Sequence, residues 1–297
     1  MLPLFPAFKI IEISDKEKIE KINSKFPPYS DFNFASLFTW GVNRSARYSN
    51  LNNNLVIKIR DYGENKFIYS ILGKNKLNSS VSELLNYSDI KRLELVPEEV
   101  ATALTGLSIA PQRDEYDYIY DLNDLVSLKG SKYRHFRRSL NSFTGSTLHP
   151  KAETVVIDSK NNEQCKEVLK VSQQWRFLRG RSFKNAAHEY YAIRRAVQYA
   201  DQLNLTIIGV YIGSSLAGFT IIEIVKDWAI LHFEKSITTI PGLGPYVKYE
   251  TFKRLKEIGA SKLNYEQDLG VQGLRQAKLS LAPSGFLKQY EVKLRSR

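Results

Sequence analysis

From Ala152 onward the apolar and polar positions change period in a regular order. Residues 152–157 read as a strand, 161–174 as an amphipathic helix and 189–203 as a second helix. Residues 205–212 and 216–225 are two strands parted by Gly213-Ser214-Ser215, a tight hairpin. A third strand, 228–236, follows the Lys226-Asp227 turn. A loop over 238–244 then leads to a helix over 245–258 that stops at Gly259, the residue type that tolerates the left-handed backbone of a helix end. Residues 262–266 read as a further strand, and the tail 286–294 as the last one. This order predicts a mixed sheet with helices on its faces.

The first half is patterned less clearly. Residues 8–13 read as a strand and 16–22 as a short helix. Pro27-Pro28 ends one element, and Ser30 or Asp31 can cap the helix at 35–40. Residues 55–59 and 66–71 alternate around Asp61-Tyr62-Gly63-Glu64-Asn65, a hairpin signature. Residues 91–96 and 116–120 read as strands. Pro97 sits near the start of a helix over 97–104, and 121–141 is helical in character. The stretch 144–150, with Gly145 and Pro150, reads as a linker. The expected organisation is an α/β (α+β) chain with domains at 1–145 and 150–297.

Composition adds a partner class. Lys and Arg number 43 against 31 Asp and Glu, a net charge of +12 that suits tRNA, anionic lipid or a phosphate-bearing cofactor, although a basic, well-solvated surface accounts for it equally. With one cysteine, Cys165, no disulfide can form within the chain and a thiolate metal site lacks ligands. The four histidines, at 135, 149, 188 and 232, have no metal-ligand spacing, so no metal site is expected. No secretory signal or membrane-span pattern is visible. A cytoplasmic protein is expected, with a peripheral membrane role left open by the charge.

Four constellations could carry chemistry. Pro241-Gly242-Leu243-Gly244-Pro245 opens a helix after a strand, where backbone N–H groups attract an anion. The third glycine of a dinucleotide fingerprint and the Gly-Lys-Ser/Thr of a P-loop are both missing, and an ordinary strand-to-helix turn fits as well. The segment 264–280 places Glu266 and Asp268 on one side of a pleat, with Arg275 and Lys278 three apart on a helix. That is a polar site or, nearly as well, a salt-bridge network tying the last helix to the sheet. The basic helix 129–143 carries Lys129, Lys132, Arg134, Arg137 and Arg138 without an acidic residue, and Tyr133, Phe136 and Leu140 form its buried stripe. It reads as a phosphate or RNA-backbone contact, joined by the basic, aromatic run 175–181, against a plainly solvated face. In the strand 228–236, alternation puts His232 and Glu234 on one face. Glu234 can orient or deprotonate an attacking amine, whereas His232 reads as structural.

Asp31 to Trp40, Tyr118-Ile119-Tyr120 with 125–132, Arg137-Arg138 to Phe143, and above all Glu266-Gln-Asp-Leu-Gly-x-x-Gly-Leu-Arg-x-x-Lys278 resemble, in the same order, the bacterial proteins grouped with the C-terminal catalytic domain of phosphatidylglycerol lysyltransferases. The resemblance spans nearly the whole chain. It implies two GNAT-like domains in tandem, as in Fem-type peptidyltransferases, each a mixed, largely antiparallel sheet flanked by helices. It also implies an aminoacyl- or acyl-transferase. The better-known members move an amino acid from aminoacyl-tRNA to a lipid headgroup. The usual acyl-CoA loop of GNAT enzymes begins with Gln or Arg, and Thr239 stands there instead. That departure weighs against acyl-CoA, and the basic helix favours aminoacyl-tRNA as donor. Arg137 stands where the family often has Lys.

The expected site therefore has Glu234 or Glu266 as the catalytic carboxylate. Gly242, Gly244, Tyr246 and Lys248 bind phosphate or an oxyanion, and Lys132, Arg137, Arg138, Asp268, Arg275 and Lys278 hold the donor. A CoA-dependent N-acyltransferase and a non-catalytic scaffold for RNA or anionic membrane are the alternatives.

Overall fold

The computed structural model describes residues 2–60, 66–147, 151–178 and 183–295. The expected turn at 61–65, His149, and residues 179–181 of the basic run lie outside them. Contacts divide the chain into two compact units. One comprises residues 1–117, 267–270 and 286–297, and the other 118–266 and 271–285. Residues 118–145 thus pack with the C-terminal half.

The first unit holds a four-stranded antiparallel sheet of Lys9–Ile10, Arg47–Leu51, Asn54–Arg60 and Phe67–Leu72. A second sheet has Gln289–Leu294 at its centre, antiparallel to Leu93–Pro97 and Leu107–Pro111. The greater part of the tail therefore lies in this sheet, and only Gly285–Leu287 forms an edge strand of the larger sheet that the tail was expected to complete. Val292, the inward residue of Gln289–Leu294, is fully buried. The helix Phe34–Trp40 is capped by Asn33, whose side chain accepts from the Ser36 amide at 3.0 Å, and not by Ser30 or Asp31. Those two are engaged elsewhere. The Ser30 amide and hydroxyl donate to the buried Asp117 at 2.8 and 2.7 Å, and Asp31 accepts from Gln267 and Gln289 at 2.6 and 2.8 Å.

The second unit carries the sheet read from the sequence. Six of its strands run in the order Asp117–Asp121, Lys262–Asn264, Trp228–Ser236, Ser215–Val225, Leu205–Ile212, Ala152–Ile157. All neighbours are antiparallel except Trp228–Ser236 with Lys262–Asn264, which is parallel. The parallel pair is bridged by the helix Leu243–Glu257, which packs on one face of the sheet; Val247, Thr251, Phe252 and Leu255 form its buried side. The helices Asn162–Leu178 and Phe183–Gln198 pair with each other, and the first packs against the two central strands. The strand 262–266 is shorter than expected, because Glu266 takes a left-handed backbone, φ 55°.

The basic helix runs Arg134–Thr144 after a short turn at Ser131–Tyr133, and buries Tyr133, Phe136, Leu140 and Phe143, the predicted stripe extended by one turn. It packs on the helix Leu243–Glu257. Gly242 makes the approach possible. Its φ is 76°, and a Cβ there would lie 2.4 Å from the Ser139 carbonyl oxygen and 2.9 Å from the Phe143 Cβ. At Gly244 a Cβ would meet only the Ser236 hydroxyl, at 3.4 Å, an ordinary contact. Gly242→Ala should therefore cost about 1–3 kcal/mol. Gly244→Ala should be neutral or gain up to about 1 kcal/mol, as expected for alanine inside a helix. Thermal unfolding of the two variants beside the parent chain checks both.

Candidate active site

The strand Trp228–Ser236 does not alternate throughout. Its register against Ser215–Val225 pairs Phe233 with Ile221 but Leu231 with Ile222, so His232 is an extra residue, a β-bulge. Glu234 lies opposite Thr220, which bonds to Thr251 of the helix Leu243–Glu257 at 2.9 Å. Glu234 therefore faces that helix. Glu223, three residues from Thr220, faces the other way, and the His232 ring bonds to it. The expectation that His232 and Glu234 share a face is overturned, because the bulge inverts the pleat between them. Bulges of this kind re-aim a side chain.

Two polar groups result, one on each face. On the first, Glu234 accepts from the Lys248 ammonium at 2.6 Å through Oε1 and from the Tyr265 hydroxyl through Oε2. Burial, and then Glu234, push the Tyr265 phenol well above its usual range. Both carboxylate oxygens of Glu234 are thus engaged. On the second, His232 Nδ1 lies 3.0 Å from Glu266 Oε1 and Nε2 lies 3.3 Å from Glu223 Oε2. The His232 and Glu223 side chains are 2% and 5% exposed, and Glu266 reaches solvent with 18% of its side chain. Burial alone would depress the imidazole, but the hydrogen bonds to Glu223 and Glu266 and their charges outweigh it and bring the ring up to about 9. Glu266 Oε2 has no hydrogen bond to any described residue.

The backbone at Glu266 is held at both its amide and its carbonyl. Its amide donates to the Asn264 side chain at 2.8 Å. Its carbonyl accepts from the Lys278 ammonium at 3.1 Å, and Lys278 also donates to the Tyr265 carbonyl. Lys278 is buried, and its ammonium lies 4.8 Å from the centre of the Tyr265 ring. The Tyr120 hydroxyl donates to the Lys278 carbonyl at 2.8 Å. A non-glycine residue at positive φ costs on the order of 1 kcal/mol and persists where its surroundings over-determine it, as at active sites.

The remaining predicted residues fall into three groups. Gly244 and Tyr246 lie in the first turn of Leu243–Glu257, a helix with no acidic residue at its start; Tyr246 is half-buried, its ring 4.6 Å from that of Phe143. Gly242 is used for helix packing. Among the cations, Lys132 has an acidic partner after all: Asp124, from the preceding helix Leu122–Ser127, at 2.8 Å with both side chains exposed. The helix itself lacks acids, but the chain just before it supplies one. Arg137 donates to the carbonyls of Leu128 and Gly130, the latter at 2.8 Å, and closes that turn. Arg138 and Arg134 are exposed, and Arg275 is half-buried on the helix Gln272–Leu279. The strand does not place Asp268 as the alternation predicts. Asp268 belongs to the first unit, fully buried, accepting from Arg113 at 3.3 Å and from the Gly270 amide at 2.9 Å. The strand ends at Asn264, so the pleat no longer governs residue 268.

His232 and Glu223 were not singled out as functional from the sequence, since a bulge leaves no trace in an apolar alternation. Cys165 is half-buried and burial pushes its thiol up, which fits a packed residue. Among the described residues no three His, Cys, Asp or Glu gather as metal ligands, and no helix is long and apolar enough to cross a membrane.

A fold of mixed, largely antiparallel sheets flanked by helices frames this site. Residues 24–293 match the model of the phosphatidylglycerol lysyltransferase C-terminal family, and the chain belongs to that family. Among solved structures, it is similar to a conserved protein of unknown function from Bacteroides thetaiotaomicron: 25% identity, TM-score 0.84, covering 99% of this chain and 100% of the other. It also shares its fold with L-PGS from Bacillus licheniformis: 16% identity, TM-score 0.65, covering 97% and 95%. No curated protein matches the sequence. Family and fold together make it an aminoacyl- or acyl-transferase of the lysylphosphatidylglycerol synthase kind.

Folding raises the affinity of His232 for its proton, from an ordinary 6.5 to about 9. The resulting stabilisation is complete below pH 6.5 and is lost as pH rises through about 9. It amounts to roughly 3 kcal/mol at most. Denaturant unfolding between pH 6 and 10 should show this decline in the parent chain and a flatter profile in His232→Gln.

Proposed function

We propose that the chain transfers an aminoacyl group from aminoacyl-tRNA to an amine or hydroxyl, with Glu266 as the group that takes the proton of the nucleophile. The observation that carries this reading is the contrast between the two carboxylates. Glu234 has both oxygens occupied, while Glu266 has Oε1 fixed and Oε2 without a hydrogen bond to any described residue, on a side chain that reaches solvent. A general base must reach the proton it abstracts, and only an open oxygen can. The nucleophile attacks the ester carbonyl, its proton passes to Glu266 Oε2, and the departing ribose oxygen is protonated in turn.

Donor binding falls to the exposed Arg134 and Arg138 and to the N-terminal turn of the helix Leu243–Glu257, where the Gly244 amide and the helix dipole favour phosphate. Lys248 and Tyr265 keep Glu234 in place beside that turn. Arg137 and Lys278 act by holding backbone turns, at 128–130 and at Glu266. The family name makes the hydroxyl of a lipid headgroup the first acceptor to try, at a membrane surface to which a chain of net charge +12 is attracted.

Transfer from an unfractionated pool of radiolabelled aminoacyl-tRNA to phosphatidylglycerol vesicles, and to soluble amines, tests the reading. Glu266→Gln should lower turnover by about 100-fold or more. Arg134→Glu with Arg138→Glu should weaken tRNA binding and flatten its salt dependence. Unchanged transfer or cellular function in Glu266→Gln would sink the role of Glu266 and favour a scaffold. Saturable acetyl-CoA binding without tRNA binding would replace the donor by acyl-CoA.

A further inference from the structure

We propose that Glu223 and His232 are positioning residues for Glu266: a buried imidazolium bridges the two carboxylates and presents Glu266 with one oxygen fixed and the other open. The inference rests on the reading of Glu266 as the proton acceptor.

The geometry calls for two protons on the ring. An ionised carboxylate can only accept hydrogen bonds, and both ring nitrogens face carboxylate oxygens, at 3.0 and 3.3 Å. A neutral ring would turn a lone pair toward one of them in a site with almost no solvent. The protonated ring satisfies both contacts and separates two negative charges that would otherwise be buried near each other. Among the described residues, the titratable groups acting on the ring are Glu223, from the adjoining strand, and Glu266, which follows the parallel one. Lys235, on the same strand as His232, is neutralised by Glu189 at 2.8 Å.

The arrangement also matters during proton transfer. When the nucleophile loses its N–H or O–H proton and Oε2 gains it, the three-residue cluster passes from net charge −1 to neutral. The imidazolium keeps its two protons throughout and fixes Oε1, so Glu266 need not reorient. Removing Glu223 leaves the ring with one carboxylate to hold it, and Glu266 loses its fixed rotamer without losing its carboxyl group.

The test uses the full chain with ¹⁵N-labelled histidine, the His232 signals being assigned by their loss in His232→Gln. Both nitrogens should be protonated at pH 7, with a midpoint near pH 9. Glu223→Gln and Glu266→Gln should each move that midpoint down. Glu266 is partly exposed, so its variant keeps the measurement interpretable if a buried substitution fails to fold. In the transfer assay Glu223→Gln should cut kcat by up to about 100-fold with KM little changed. It should also bring the alkaline fall in activity to lower pH. A ring with one proton at pH 7, a midpoint unmoved by Glu266→Gln, or an alkaline limb unmoved by Glu223→Gln would overturn the inference. A parent chain inactive on every charged tRNA, with the midpoints as expected, would sink the transferase reading and leave the clamp standing.

Discussion

A single extra residue in the strand Trp228–Ser236 sets the chemistry of the second unit. Without the bulge at His232 the imidazole would join Glu234 on the face covered by the helix Leu243–Glu257. The sheet would then bury a histidine beside Lys248, two cations competing for one carboxylate. With the bulge, the two cations part to opposite faces. Lys248 pairs with Glu234 on one side, and His232 with Glu266 on the other. The two residues at the end of the parallel strand follow the same division, Tyr265 turning to Glu234 and Glu266 to His232.

The strand end is held from below by Lys278. A buried lysine normally needs a carboxylate. Here the ammonium donates to two consecutive backbone carbonyls and lies over an aromatic face. Their orientation follows from the left-handed turn at Glu266, so the lysine and the turn require each other. The Glu266-to-Lys278 spacing in the sequence marks a piece of architecture in which the first residue reaches solvent and the last supports it from the core.

Much of the second unit is legible from periodicity. Its central strands are long, strongly apolar and separated by short turns, and the stripe of Tyr133, Phe136 and Leu140 emerges buried as its spacing requires. The pairing of the tail is not legible. Residues 289–294 carry a strand pattern that suits either sheet, and they pair with Leu93–Pro97 and Leu107–Pro111. At the site, Glu234 and Glu266 stand out because acidic residues interrupt apolar strands. Their separation onto two faces does not, because register is a property of the paired strands and not of either one. Lys132 and Arg137 read as cations ready for a ligand, yet their partners, an aspartate and two carbonyls, come from the preceding turn, which a helix-by-helix reading overlooks.

The missing side chain at Gly242 has a mechanical effect on this unit. Backbone meets backbone there, with the Ser139 carbonyl so near that no methyl group fits between them. Two segments in such contact slide or tilt only as one piece. The row of arginines on the outer side of the first helix and the amide-lined start of the second therefore keep a constant spacing, like two marks on a ruler. A long, stiff polyanion that seats on the arginines would find its end delivered at a set distance along the protein, whatever its sequence.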